Sequence, residues 1–386
     1  MTKGKMINMN IFDDAVPIMD SEKEPKGFKG IRGRIVSRLF NKLVGTVKPS
    51  DNYALPSPLK FVPHMETKRY SSTHYGIMIP DLPAPHFFMA CAANLGGTGT
   101  TVFDIDHAFS EKHGPLGSST LMHGTAEAID NHFTQYSIPD DITANRDGSN
   151  ITYDSNTGTS LEFRGNYPEY RISSRREDFS VDLTLQATGE ITWFAYSKVY
   201  KHLSLLTHYE GFITSKGKTT SVKGLCTMEY ATSWSPYRLI NRPLPDMFKL
   251  PFNFFSYQVI TLGKDTQICL THCRVDNCNT LTAAYMREAG KGSFRIDGDV
   301  QFQVFSIQDE SMIAPDGRKT HVPEYFRWII PGIPEESVFE INAKIDTPML
   351  YGLGTGWTGG YSWEGIRNGK AINGRGYIEY VDRREG

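Results

Sequence analysis

Two segments, one mid-chain and one at the end, carry the same ordered features, and this repetition limits the possible folds more than any other property of the sequence. The first runs Tyr209-Glu210-Gly211-Phe212, then Gly217-Lys218, then Gly224, then Glu229-Tyr230. The second runs Trp363-Glu364-Gly365-Ile366, then Gly369-Lys370, then Gly374, then Glu379-Tyr380. The spacing from Gly224 to Glu229 equals that from Gly374 to Glu379, and the first copy is two residues longer between its Gly-Lys and that glycine. Each copy reads as strand, Gly-Lys turn, strand: a hairpin that could close a barrel. Self-similarity of this kind is the mark of a duplicated unit.

The rest of the chain agrees with a β architecture. From about residue 70, short runs rich in β-branched and aromatic residues follow one another. In one of them Phe179, Val181, Leu183 and Leu185 alternate with Ser180, Asp182, Thr184 and Gln186. Period two means a sheet with one dry face. Asp147-Gly148, Thr188-Gly189 and Lys216-Gly217 read as turns between runs. With no long helical patterns between them, these runs predict antiparallel barrels or sandwiches. A chain of 386 residues exceeds the roughly 250–300 that one core serves. The proline-rich stretch 233–252 is the natural boundary. The expected organisation is a tail, helix and connector over 1–63, a first barrel over 64–235 and a second over 236–386.

Residues 1–27 are polar and read as loosely ordered, and 46–63, with four prolines, as an extended connector. Between them, 28–45 predicts an amphipathic helix. Ile31, Ile35, Leu39 and Leu43 recur every fourth position, and Arg32, Arg34, Arg38 and Lys42 supply much of the remainder. Such a helix packs on the barrel or a partner, or lies on an anionic membrane surface. No apolar run approaches the ~18–20 residues of a spanning helix.

Several function classes find no support. A net charge of -2 gives no electrostatic reason to expect nucleic acid. Five cysteines, an odd number, suggest reduced thiols and a cytoplasmic protein. Cys269, Cys273 and Cys278 surround His272, but their irregular spacing lacks the second ligand pair of a zinc site, so they read as strand residues near a turn. Asp104, Asp106 and His107 follow the glycine-rich run NLGGTGT, which lacks both phosphate-loop patterns; they read as a polar loop rather than a metal site. No nucleophile elbow is present. No cofactor is expected, and the oligomeric state is not legible.

The C-terminal stretch YSWEG (361–365), Gly369-Lys370 and GRGYIE (374–379) resembles the end of the carotenoid 1,2-hydratase (hydroxyneurosporene synthase) and AttH-like superfamily. Fungal Diels–Alderases of similar two-barrel build are more distant relatives of that group. VKGLCTMEY (222–230) stands where the family closes its first domain, often with an aromatic followed by Asp-His-Glu; this chain keeps only Glu229, with Cys226, Thr227 and Met228 beside it. The resemblance spans about 70–386 and implies a mainly β fold of two tandem lipocalin-like barrels. It also implies an apolar ligand, such as an isoprenoid, polyene or steroid-like molecule.

For such a ligand the chemistry would be acid-assisted hydration, isomerisation or cyclisation without a cofactor. A carboxyl in a dry pocket holds its proton at neutral pH, and aromatic faces stabilise a developing cation. Glu229 and Glu364 are the candidate acids. The repeat partner Glu379 argues for a structural role for at least one of the two strand carboxylates. His123, Tyr209, His272, Trp357, Tyr361 and Trp363 are the candidate substrate-binding residues, the two histidines also reading as hydrogen-bonded interior groups. The alternative function is a non-catalytic lipid or isoprenoid carrier of lipocalin type. An acid buried without Arg or Lys would favour the enzyme.

Overall fold

A computed structural model describes residues 7, 10–13, 15–47, 59–154, 158–296, 298–332 and 338–384. Among these the chain builds two eleven-stranded antiparallel sheets. One curls into a nearly closed barrel and the other into a half-barrel. In the first sheet the initial strand, Ser72–Ile79, pairs with the last, Lys218–Ser233. In the second sheet Phe252–Thr261 pairs likewise with the last strand, Lys370–Asp382.

The period-two reading places the first core. Phe179, Val181, Leu183 and Leu185 are all buried in it, while the residues between them face away. A second core fills the other sheet around Trp328, Phe302, Phe326 and Tyr361. A third apolar cluster belongs to neither interior. It joins Met78, Ala90, Ala92, Met122 and Phe194 of the first sheet, with Phe88 just ahead of one of its strands, to Tyr257, Val259, Cys269, Tyr285, Leu350 and Tyr377 of the second. The two barrels therefore pack outer face to outer face.

The repeat is structural at each of its points. Both turns have two residues with positive φ, at 49° and 75° for Lys216-Gly217 and 52° and 73° for Asn368-Gly369, the pattern of a tight hairpin matched to strand twist. Tyr209 pairs directly across from Gly224, and Trp363 from Gly374. Each ring lies on its glycine, whose Cβ would come within 3.3 and 3.1 Å of it respectively. At Gly211 and Gly365 a Cβ would sit 2.1 Å from the Asp182 carbonyl oxygen and 2.2 Å from that of Glu340. Backbone cannot move aside as a side chain can. Gly365→Ala is therefore expected to lower stability by about 1–3 kcal/mol in urea titration. Gly263→Ala, with open space around it, should stay within about 0.5 kcal/mol of wild type.

Three readings need correction. Thr188-Gly189 is not a turn: it lies inside the continuous strand Phe179–Tyr196, where the register shifts between Ala187 and Ile191. The extra residues form a bulge, and glycine serves there as readily as in a turn. The N-terminal segment is not loose throughout. Met19–Asp20 adds a strand to the second sheet, and Phe12 is buried against Phe305 and Tyr325. The helix forms over Gly27–Val44 and ends at Gly45, whose φ is 66°. Its buried residues, however, are Gly30, Gly33 and Ser37, and not the apolar stripe. Most of the connector, 48–58, lies outside the described residues. No described helix is long and apolar enough to cross a membrane.

Candidate functional site

Strand parity decides what each repeat carboxylate meets. Cys226, Met228 and Tyr230 point into the first core, so Glu229 points out of it. Ile378 and Tyr380 point into the second core, so Glu379 points out of that one. Because the outer faces pack together, both carboxyls are buried in the seam between the barrels, at 4 and 3% exposure.

Around Glu229 the first sheet supplies two histidines from neighbouring strands. His74 and His202 both pair across from Ala231, which puts them diagonal to Glu229 on the same face. His202 Nε2 lies 3.1 Å from Glu229 Oε2, and its Nδ1 lies 2.9 Å from the Tyr200 hydroxyl. With Tyr200 donating to Nδ1, Nε2–H donates to the carboxylate. His74 Nδ1 lies 2.8 Å from Asn94 Oδ1. Donation from Nδ1 there leaves the lone pair on Nε2. Glu229 Oε1 makes no hydrogen bond, although Tyr257 lies close enough to favour its charge. The second sheet supplies Tyr257, directly across from Glu379, and Tyr377, whose hydroxyl donates to Glu379 Oε1 at 2.9 Å.

The two carboxyls are driven apart in acidity. Burial would raise Glu229, but the hydrogen bond and electrostatic pull of His202, with smaller help from Tyr257 and His74, hold it below the ordinary value. Burial pushes Glu379 well above the carboxylate range; the nearby charge of Glu229 pushes the same way, and Tyr377 only partly opposes them. The two carboxyls are thus pushed in opposite directions, Glu229 toward its ionised form and Glu379 toward its protonated one. Burial lowers His74 below the ordinary histidine value, opposed by Glu229 and by its hydrogen bond to Asn94. Aromatic rings line the seam: Phe194 lies 4.8 Å from His202, 5.7 Å from Tyr257 and 4.9 Å from Tyr285, and Phe88 lies 6.2 Å from Tyr377. His74, Tyr200 and His202 are only half-buried, so the site meets solvent on their side.

The other sequence candidates lie elsewhere. Glu364 shares the outer face with Thr358, which pairs with Glu379. It stands six residues further on, about 20 Å along the strand. It is half-buried between Asn342 and Asn373. Trp357, Tyr361 and Trp363 belong to the second core, and Tyr209 to the first. His123 lies 3.2 Å from Ser174 Oγ and packs on Phe179. His272 is fully buried with both ring nitrogens engaged, Nε2 by Arg274 at 3.1 Å and Nδ1 by Thr282 at 2.9 Å, so it has none left for a ligand. Only Glu229 of the named set enters the seam. Glu379, His74, His202, Tyr257 and Tyr377 were not in it. The signal for Glu379 was available: it is the repeat partner of Glu229 and shares its strand parity.

The acidic loop is a staple. Asp104 accepts hydrogen bonds from the Thr98 and Gly99 amides and from Tyr237 at 2.8 Å. Asp106 is paired with the buried Lys249 at 2.7 Å. Together they pin the glycine-rich run to the segment joining the sheets. An open pocket of about 570 Å³ beside Asp106 and His113 is bounded by these loops. All five cysteines are unbridged and buried, and among the described residues no cluster of three or more His, Cys, Asp or Glu side chains could hold a metal ion.

Two barrels packed outer face to outer face over a carboxyl pair place the chain in the class of tandem lipocalin-like proteins. The chain belongs to the family of unknown function DUF6670, whose profile matches residues 93–386. No curated protein matches it. Among solved structures it is similar to an AttH-like protein, NE1406, from Nitrosomonas europaea, with TM-score 0.56 and 13% identity over 89% of this chain and 100% of that one. It is also similar to kievitone hydratase from Nectria haematococca, with TM-score 0.49 and 14% identity over 88% and 98%. A third likeness is to CghA with Sch210972, with TM-score 0.46 and 9% identity over 89% and 97%. The fold read from the C-terminal motif is borne out; at these identities the likeness speaks for the fold alone.

Proposed function

We propose that the chain is an acid–base enzyme acting on a hydrophobic small molecule in the aromatic seam between its barrels. The observation that carries this reading is the carboxyl pair: Glu379, raised toward its protonated form, near Glu229, which is hydrogen-bonded to histidine and lowered toward its ionised form, with neither acid ion-paired to Arg or Lys among the described residues. Pairs of titratable groups pushed apart in this way define an acid and a base. In a hydration, Glu379 gives its proton to one alkene carbon while water adds to the other. Glu229 takes the proton that the water loses. The pair resets when that proton passes from Glu229 to Glu379 through His202 and solvent. Isomerisation uses the same two steps without water: protonation by Glu379, then removal of a different proton by Glu229. The aromatic rings around the site suit a cationic intermediate.

The test is turnover of the ligand class found by native mass spectrometry of the purified protein. Glu229→Gln should lose activity and Glu364→Gln should keep it, because only the first meets the acid. Retention of full turnover in Glu229→Gln would sink this assignment. A ligand that is bound but never converted by wild type would favour the carrier reading.

A further inference from the structure

We infer that the N-terminal helix is a docking element for anionic lipid surfaces. It lies on the second sheet with its smallest face down. A Cβ at Gly33 would sit 2.5 Å from Cys278 Sγ, and one at Gly30 would sit 1.9 Å from the Pro25 carbonyl oxygen. Ser37 Oγ lies 2.8 Å from Thr280 Oγ1, and Asn41 Nδ2 donates to the Thr280 carbonyl at 3.0 Å. Val36 and Phe40 pack along one flank, with Phe40 5.5 Å from Phe252. These contacts fix the rotation of the helix about its axis. The apolar stripe is therefore held away from the protein: Phe28 is 80% exposed, Ile31 53%, Ile35 54%, Leu39 63% and Leu43 48%.

Five large apolar side chains in one line on an exposed helix call for a partner. The charges beside them say which kind. Lys29, Arg34, Arg38 and Lys42 are all exposed, Lys26 precedes them, and the helix holds no Asp or Glu; Arg32 is exposed as well, but its guanidinium is held by Asp276. The chain as a whole carries a net -2, so this cationic face is a local concentration. A second copy meeting the same face across a two-fold axis would set cations against cations. A lipid surface offers apolar depth for the stripe and anionic headgroups for the flanks, and the 18-residue helix, about 27 Å long, would lie in its plane.

Co-sedimentation of the full chain with phosphatidylcholine vesicles, with and without phosphatidylserine, tests this. Wild type should bind the phosphatidylserine vesicles, and added salt should weaken binding. The double variant Ile35→Glu, Leu39→Glu alters only exposed side chains and should keep its circular dichroism spectrum and melting temperature. Its partition onto vesicles should drop about tenfold or more. No binding by wild type, or equal binding by the double variant, would overturn the proposal. So would a wild-type dimer in sedimentation velocity that the double variant dissolves, since a second copy would then cover the stripe.

Discussion

Glu379→Gln should reduce turnover by about 10²–10⁴-fold, the contribution of a positioned general acid, while the folded protein at neutral pH is as stable as wild type or more so. Gln has nearly the shape of a protonated Glu and can still receive the Tyr377 hydrogen bond. The stability half follows from the direction of the pKa. Glu379 is raised in the folded state, so the stability it confers is present in full below the ordinary Glu pKa. That stability is lost as pH climbs towards the folded value, because the unfolded chain ionises first. Gln has no such dependence. The advantage of the variant over wild type should therefore grow from pH 4 to 7. Infrared difference spectroscopy offers a second reading without any substrate. Wild type at neutral pH should show the carbonyl stretch of a protonated carboxylic acid, and Glu379→Gln should not. A variant whose stability curve runs parallel to wild type would mean that Glu379 ionises normally.

The seam also explains which parts of this protein were legible in its sequence. Alternation along 179–186 and the duplicated hairpin follow from local chemistry, so strand character and the position of the hairpin turn could be anticipated, while the ring-on-glycine pairs emerge only from the folded register. Parity likewise put Glu229 on the face opposite Tyr230. What parity cannot say is whether an outward face meets water or another barrel. That depends on how the two curled sheets dock, a contact between residues such as Phe88 and Tyr377 nearly 300 positions apart. Glu379 was therefore read as an argument for a structural role, when its outward face is what brings it to Glu229. The tryptophans misled for the opposite reason. An aromatic run such as GWTGGYSW reads equally as a cavity wall or as packed core, and here the rings of 357, 361 and 363 fill the second core. The helix shows a third limit: a helical wheel marks its apolar stripe, but packing followed the glycines, which let two backbones approach closely.

Acid should unfold this protein mainly through buried histidines. His64 is 4% exposed and His123 2%. Burial lowers His64 to about 4, opposed by its hydrogen bond to the Leu116 carbonyl. Burial first, then the Arg176 and His132 charges, lowers His123 to about 3. His272 is also pulled well down by burial and by Arg274 and Arg384. A depressed histidine binds its proton in the unfolded chain before it does so in the fold. Its contribution is thus complete above about pH 6.5 and is lost as pH falls towards the folded value. Between pH 7.5 and 5, His64 and His123 each forfeit about 2 kcal/mol. Together that is about 4 kcal/mol out of a typical total of roughly 5–15. Glu379 works in the opposite direction over the same interval, because its neutral form is the folded one, and offsets part of the loss. The measurement is the urea midpoint at pH 7.5 and at pH 5. In His123→Asn the protein should be weaker at pH 7.5, because the ring packed on Phe179 is lost, yet the difference between the two pH values should shrink by about 2 kcal/mol. An unchanged difference would place the ordinary histidine pKa on His123 and remove it as a source of acid lability.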